Sequence, residues 1–324
     1  MISSRSLLSA PTTLRHSRIL GLGEYRPARV VTNDDLAQTL DTSDEWIQQR
    51  TGIASRRIAG DGDSVVAMAS AAATKALADS GVDPDRIGQV IVATCTMTKQ
   101  VPGASAQVAH ALGATAAGAF DINAACAGFC YALSTASDAI RTGQSEYVVV
   151  AAAERLSDWL DWSDRSSAIL FADGAGAAVV GPSDTPGIGP LVCGSNGGAA
   201  EVIGMTDARQ LRLDGPAVFR WATTEMGKAA RRVCDAAGIE PAELAAVVPH
   251  QANLRIVNSI VKQLGATDAV IADDVVDTGN TSAASVPLAL ARLRREGKVA
   301  TGDLALTLAF GAGLTWAGSV VAVP

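Results

Sequence analysis

Three side chains with chemical potential stand at junctions between secondary-structure elements. Cys126 lies in Asp121-Ile122-Asn123-Ala124-Ala125-Cys126-Ala127-Gly128-Phe129-Cys130. The apolar run ending at Ile122 reads as a buried strand, and residues 127–140 have helical spacing with Phe129, Leu133 and Ile140 on the apolar side. A thiol where a strand passes into a helix meets free backbone N–H groups and the positive end of the helix dipole. That position is expected to lower the thiol pKa and favour the nucleophilic thiolate. The ordinary alternative for a lone cysteine is a buried structural residue. His250 follows an apolar strand over residues 244–248, in Val248-Pro249-His250-Gln251-Ala252-Asn253. Strand ends are where α/β proteins place ligand-facing groups. Of the other two histidines, His16 is near the N-terminus and His110 is inside an Ala-rich helical stretch, where packing or surface exposure is the default. Asn280 lies in Asp277-Thr278-Gly279-Asn280-Thr281-Ser282, a turn into a helix, where a capping role is the ordinary reading. Phe310-Gly311-Ala312-Gly313-Leu314 closes a further strand with a Gly-rich turn that can bring N–H donors to an oxyanion. Cys, His and Asn at three such junctions suggest one shared site.

The elements that must position them repeat. Residues 76–92 read ALADSGVDPDRIGQVIV and residues 233–249 read VCDAAGIEPAELAAVVP. Gly81 matches Gly238, Pro84 matches Pro241, Ile87 matches Leu244, and Val90 matches Val247. Both stretches read as a helix, a Gly stop, a short Pro turn and a strand. A second echo follows: the Cys126 helix ends at Gly143 before a strand over 147–152, and a helix from Ser282 ends at Gly297 before a strand over 304–310. Two echoes in the same order predict a duplicated α/β unit whose two sheets pack together, with halves at 18–183 and 184–324. Elsewhere the spacing predicts a helix start at residues 41–46, a helix capped by Ser64 running to about Ser80, a strand over 89–94, a helix over 104–112, and strands over 167–171 and 175–180.

Composition narrows the class. The chain has 324 residues, 48% of them hydrophobic and 4% aromatic, which suits an Ala/Val/Gly-rich α/β protein with close helix–sheet packing. A net charge of -7 argues against nonspecific nucleic-acid binding. Five cysteines without CxxC spacing indicate neither a disulfide framework nor a zinc site, so no metal is expected and a reducing, cytoplasmic setting fits. No apolar run approaches the ~20 residues that span a bilayer. Residues 1–17 hold Arg5, Arg15 and His16 without an acid, and read as a disordered tail or an organelle-targeting segment.

Taken together, AACAGF at Cys126, PHQANLRI at His250, GNTSAAS at Asn280, FGAGLTW at Phe310, DTSDEWIQQRTGI at Trp46 and FADGAGAAV at Phe171 resemble the β-ketoacyl-acyl carrier protein synthase III family of the thiolase superfamily. The resemblance covers nearly everything from Ile19 to Pro324. It implies a five-layer αβαβα fold, a homodimer, and the decarboxylating condensation of a short acyl-CoA primer with malonyl-acyl carrier protein, initiating fatty-acid or polyketide synthesis. No metal or redox cofactor is implied. Cys126 would carry the acyl group as a thioester. His250 and Asn280 would hold the malonyl thioester carbonyl and stabilise the enolate. The N–H groups of Cys126 and Gly313 would form the oxyanion hole. Trp46 and Arg165 match positions that sandwich the CoA adenine. Thr42, Arg50, Gly215, Phe219, Ala252 and Asn253 match the pantetheine tunnel. Phe171, Phe310 and Val101 match the acyl pocket, with the 96–102 segment reaching the partner's pocket and Val101 standing where some acetyl-using members carry Phe. The 195–215 segment is shorter than in typical members and helps shape the acyl pocket. A basic patch of Arg220, Arg255 and Lys262, extended by Arg231, would receive the acidic carrier protein. The alternatives are an acyltransferase that moves an acyl group to an oxygen or nitrogen acceptor without condensation, and a non-catalytic acyl-binding scaffold.

Overall fold

Strands with small or β-branched residues on both faces must be covered on both sides, and this chain has two sets of them. A computed structural model describes residues 14–324. The first half runs β1 (His16–Tyr25), β2 (Arg29–Thr32), α1 (Asn33–Ala37), α2 (Asp44–Thr51), β3 (Ser55–Ile58), α3 (Val65–Ser80), β4 (Ile87–Ala93), α4 (Ala104–Ala111), β5 (Gly118–Ile122), α5 (Gly128–Arg141), β6 (Tyr147–Arg155), α6 (Arg165–Ala168) and β7 (Asp173–Ser183). The second runs β8 (Val192–Gly194), β9 (Ile203–Met205), β10 (Leu211–Leu213), α7 (Gly215–Ala237), β11 (Ala246–Pro249), α8 (Leu254–Leu264), β12 (Val270–Ile271), α9 (Val275–Thr278), α10 (Ser285–Arg295), β13 (Leu304–Phe310) and β14 (Trp316–Ala322).

The duplication is visible in the sheets. One has the order β1-β7-β6-β4-β5 and the other β8-β14-β13-β11-β12. In each, the inner strand pairs parallel with two neighbours while the last two pairings are antiparallel. The echoed glycines end equivalent helices in the left-handed conformation, Gly81 after α3 and Gly238 after α7, Gly143 after α5 and Gly297 after α10.

Alternation along each strand assigns its faces. Val90 and Val92 face α3 and α4, and Ile91 and Ala93 face α5. Leu306 and Leu308 face α7 and α8, and Ala305 and Ala309 face the interior. The layers are therefore α3/α4, the first sheet, α5/α10, the second sheet and α7/α8, the expected five-layer αβαβα arrangement. No helix among the described residues is long and apolar enough to cross a membrane.

Two expectations need correction. Of the tail assigned to 1–17, residues 1–13 lie outside the described residues, whereas His16 and Ser17 open β1. They pair with Ser183 and Pro182, and the Ser17 hydroxyl lies 2.8 Å from that of Ser137. Residues 167–171 do not form a strand. Asp164 accepts hydrogen bonds from the Ser166 N–H at 2.8 Å and the Ser167 hydroxyl at 2.8 Å, which turns the chain into the short helix α6.

Close packing of α3 on β1 depends on Gly23, where an added Cβ would stand 2.1 Å from the Ala72 carbonyl oxygen and 2.5 Å from the Ala76 nitrogen. Both are backbone atoms of a helix that cannot yield locally. Gly23→Ala should therefore lower unfolding free energy by about 1–3 kcal/mol or more. Gly62→Ala, which meets nothing within 4 Å, should change it by less than about 0.5 kcal/mol. Urea denaturation of the two variants checks this, and equal stabilities would contradict the packing argument.

Candidate active site

The two central helices, α5 and α10, start at the same end of the molecule, where the turns before them meet the ends of β4, β11 and β13. Cys126 precedes α5 on a tight turn in which Ala125 has φ 46°, and Gly128 N–H donates to the Ala125 carbonyl at 2.9 Å. Gly311 packs so closely behind this turn that a Cβ there would stand 2.6 Å from the Cys126 nitrogen. That close approach accounts for the glycine after β13.

A cavity of about 660 Å³ opens at this point. Cys126, His250 and Asn280 all line it, so the structure brings together the three residues singled out from the sequence. Trp46, Arg50, Gly215, Phe219, Ala252, Asn253 and Arg255 line it as well, as do the buried Phe171 and Phe310. The 195–215 segment supplies a wall: it folds into the β9–β10 hairpin, and Ile203, Met205, Leu211 and Leu213 face the cavity.

His250 is 1% exposed. Its backbone N–H donates to the Leu308 carbonyl at 2.7 Å, its Nδ1 lies 2.7 Å from Ser285 Oγ, and its ring meets Phe310 edge-to-face at 5.3 Å. Burial pulls its pKa down to about 3, so the imidazole is neutral. Asn280 is fixed through its backbone: its N–H donates to the Leu170 carbonyl at 2.9 Å and its carbonyl accepts from Ala172 N–H at 2.8 Å, bridging it to Phe171. Its Oδ1 accepts from Ser282 N–H at 2.9 Å, which leaves the side-chain NH2 as the group available to a ligand.

The expectation for the thiol is reversed. Burial pushes the Cys126 thiol up to about 12, and the Glu154 carboxylate adds to the shift, while the Ser282 hydroxyl opposes it. Cys126 lies on the turn before α5, and desolvation outweighs the helix N-terminus there.

Around the mouth, Arg165 lies 4.6 Å over the Trp46 ring and Arg50 5.5 Å from it. The expected adenine slot is thus closed by direct stacking of Arg165 on the indole. The Thr42 hydroxyl nearby is buried without a partner. Asn253 caps α8 by accepting from Arg255 N–H at 2.9 Å and donates from Nδ2 to the Arg50 carbonyl at 3.1 Å, joining α8 to α2. Arg255 stacks 4.7 Å over Phe219, and Arg220 and Lys262 are exposed. Arg231 is neutralised by Asp235 at 2.9 Å and Glu240 at 3.0 Å, so it does not extend the basic patch. In the Gly-rich turn, Gly311 and Ala312 line the cavity and Gly313 does not. Val101 is 85% exposed and lies outside this chain's own cavity.

Sequence reasoning missed four residues. Cys95 and Ser282 line the cavity, Ser285 holds His250, and Glu154 is wholly buried beside them. Cys95 was signalled only by its place at the end of β4, the counterpart of the His250 strand.

A duplicated five-layer chain with Cys, His and Asn on one cavity has the architecture of a thiolase-like condensing enzyme. The models of 3-oxoacyl-[acyl-carrier-protein] synthase III match residues 120–197, and residues 234–323 for the C-terminal part. The chain is 49% identical to a β-ketoacyl-[acyl-carrier-protein] synthase III of Streptomyces glaucescens, covering 95% of this chain and 97% of that one. It is 48% identical to a mycobacterial β-ketoacyl-[acyl-carrier-protein] synthase III of Mycobacterium avium, covering 98% of each. The crystal structure of the priming β-ketosynthase from the R1128 polyketide biosynthetic pathway superposes with a TM-score of 0.95 at 48% identity, covering 98% of both chains. The chain belongs to the β-ketoacyl-acyl carrier protein synthase III family.

The neutral, buried His250 has a consequence for stability. The unfolded residue titrates near 6.5 and the folded one near 3. The contribution is fully present above pH 6.5 and is lost as pH falls toward 3, because only the unfolded chain binds the proton in that window. Thermal melts from pH 7 to pH 4 should show His250→Gln losing less stability on acidification than the wild type. Parallel losses would mean that the ring is not held neutral.

Proposed function

We propose that the chain performs a decarboxylating condensation of a short acyl-CoA primer with malonyl-acyl carrier protein, giving a β-ketoacyl-acyl carrier protein. The observation that carries this reading is the convergence of Cys126, His250 and Asn280 on one largely apolar cavity, in a chain of this family. Cys126 attacks the primer thioester and holds the acyl group. Once CoA has left, the malonyl thioester enters along the Trp46–Phe219 side. Its carbonyl oxygen receives hydrogen bonds from His250 and the Asn280 NH2. The Ser285 hydroxyl accepts from Gln251 N–H at 3.3 Å and donates to His250 Nδ1, which leaves Nε2–H as the donor to the carbonyl. Loss of CO2 builds negative charge on that oxygen. Neutral donors fixed beforehand in a largely apolar cavity stabilise it without reorganising. The resulting carbanion attacks the acyl carbon on Cys126. The oxyanion formed there is held by N–H groups of Cys126 and of the 311–313 turn, with Ala312 better placed than Gly313.

Trp46 and Arg165 part to admit the adenine, and the free Thr42 hydroxyl adds a polar contact. The exposed Val101 serves the cavity of a second copy, so the working unit is a homodimer in the cytoplasm, with a primer pocket wider than one closed by an aromatic ring. Fatty-acid and polyketide initiation both fit this chemistry.

Step-resolved assays test the assignment. Cys126→Ala should abolish acyl labelling from acyl-CoA in a folded protein. His250→Ala and Asn280→Ala should keep substantial labelling while CO2 release from malonyl-acyl carrier protein falls about 10²-fold or more. Decarboxylation at the normal rate in both would overturn their roles, and acyl transfer to another acceptor without CO2 would favour a simple acyltransferase.

Docking of an acidic carrier protein is read from Arg255, which is exposed at the cavity mouth, with Lys262 two turns along the same face of α8. Arg255→Glu should raise KM for malonyl-acyl carrier protein by about two- to tenfold at low salt and by less at high salt. Cys126 acylation by acyl-CoA should change much less. An unchanged KM at low salt would place docking on another surface.

A further inference from the structure

Acylation of Cys126 must dispose of the proton on its thiol, and the proposed roles leave that proton without an acceptor. Among the described residues Glu154, near the end of β6, is the carboxylate whose charge acts on the Cys126 thiol. It is 0% exposed, and no lysine, arginine or histidine pairs with it among the described residues. Neutral donors hold it instead: Cys95 N–H at 3.1 Å, Thr96 N–H at 3.2 Å, Thr96 Oγ1 at 2.7 Å, Thr94 Oγ1 at 3.2 Å and Ser282 Oγ at 3.1 Å. The two threonine hydroxyls are oriented toward it by their other partners. Arg155 N–H donates to Thr96 Oγ1 at 2.9 Å, and Thr96 N–H donates to Thr94 Oγ1 at 3.2 Å. Burial raises the Glu154 pKa above the ordinary carboxyl value while these donors oppose the shift, so the group is held as an acceptor and takes a proton more readily than a solvated carboxylate.

The Ser282 hydroxyl donates to Glu154 Oε1, which leaves its lone pairs open, and it is near enough to the Cys126 thiol to oppose the rise that burial causes there. It lines the same cavity as Cys126. The Cys126 turn is wedged between the end of β4 and the turn carrying Ser282: a Cβ on Gly128 would stand 3.1 Å from Ala93 Cβ and 3.5 Å from Ala283 Cβ. The backbone of Ser282 is held in the left-handed region at φ 51°, and its N–H is tied to Asn280.

We propose that Glu154, acting through the Ser282 hydroxyl, accepts the proton that Cys126 gives up when it takes the acyl group. Glu154 is thus a positioning and proton-holding residue for the reaction proposed above, and its role rests on Cys126 being the acylated residue. The Cys126 sulfur forms a bond to the acyl carbon while its proton passes to Ser282 Oγ and the Ser282 proton passes to Glu154. The bond between the acyl carbon and the CoA sulfur breaks. The proton then returns through Ser282 to the departing sulfur, so CoA leaves as the thiol and Glu154 is again a carboxylate. The buried cluster carries one negative charge throughout, so no new charge is desolvated. Direct loss of the proton to solvent would instead place a second anion beside Glu154 in a buried site. The other titratable groups facing Glu154 do not replace it. Cys95 donates its own thiol to the carboxylate at 3.4 Å. Arg155 turns its guanidinium to Asp158 and the Gly60 carbonyl, and His250 is committed through Nδ1 to Ser285.

Single-turnover acylation by acyl-CoA, followed by mass spectrometry of the peptide carrying Cys126 between pH 6 and pH 10, tests this. Glu154→Gln and Ser282→Ala should each slow acylation at pH 7 by about 10²-fold, with little change in the acyl-CoA concentration giving half-maximal rate. The deficit should narrow toward pH 10 as hydroxide takes over. Glu154→Asp should recover part of the rate. Decarboxylation of malonyl-acyl carrier protein by pre-acylated variants should stay within a few-fold of wild type. Ser282→Ala removes one hydroxyl and decides the matter where Glu154→Gln does not fold. Acylation at the wild-type rate, or a deficit of the same size at every pH, would overturn the relay. Absence of label on Cys126 in the wild type would instead overturn the reading on which it rests.

Discussion

The structure depends on burying the apolar sides of two helices between two sheets. α5 and α10 contact both inner sheet faces through one continuous core that includes Phe129, Leu133, Ile140, Leu288 and Leu290. Much of the rest of that core is alanine and valine, because two sheets can close on a helix layer only where side chains are short. Once α5 and α10 are fixed in that layer, their N-terminal turns have one place to go. Cys126 from the first half and Asn280 from the second meet there without any direct bond having to bring them together.

Local signals in the sequence expose this architecture well. The helix, Gly stop, Pro turn and strand of residues 76–92 and 233–249 are short-range features, and both copies fold as their composition predicts. The convergence of Cys126, His250 and Asn280 was legible because each sits at an element boundary and the boundaries repeat. Partnerships across the chain were not legible. Thr96 and Ser282 reach Glu154 over separations of 58 and 128 residues, and nothing around Glu154 marks it as buried rather than exposed. The direction of the Cys126 shift failed for a related reason. Position near a helix start can be read from sequence, but the depth of burial depends on what the other half lays over it. Residues 167–171 misled because their alternation suits a strand, while Asp164 satisfies the backbone of a tighter turn.

The site as folded is electrically quiet on its working face. The imidazole is neutral, the thiol is protonated, and the Asn280 amide carries no charge. The Glu154 carboxyl is set back behind hydroxyls and N–H groups. Such a cavity suits a reaction whose charge appears only in passing, because fixed dipoles act most strongly where no resident ion competes for them.

The backbone bridge between Phe171 and Asn280 has a wider implication. Phe171, which lines the cavity, and the amide proposed for the malonyl carbonyl are held on adjoining peptide groups, by hydrogen bonds of 2.8 and 2.9 Å. Selectivity and turnover are therefore mechanically correlated traits in this scaffold. Remodelling the pocket at Phe171 to suit a bulkier primer also shifts the anchor of Asn280. A lineage changing its starter unit is better served by altering the β9–β10 hairpin, which borders the same space and packs on Phe171 through Leu211 and Leu213 but takes no part in the hydrogen bonds of that bridge.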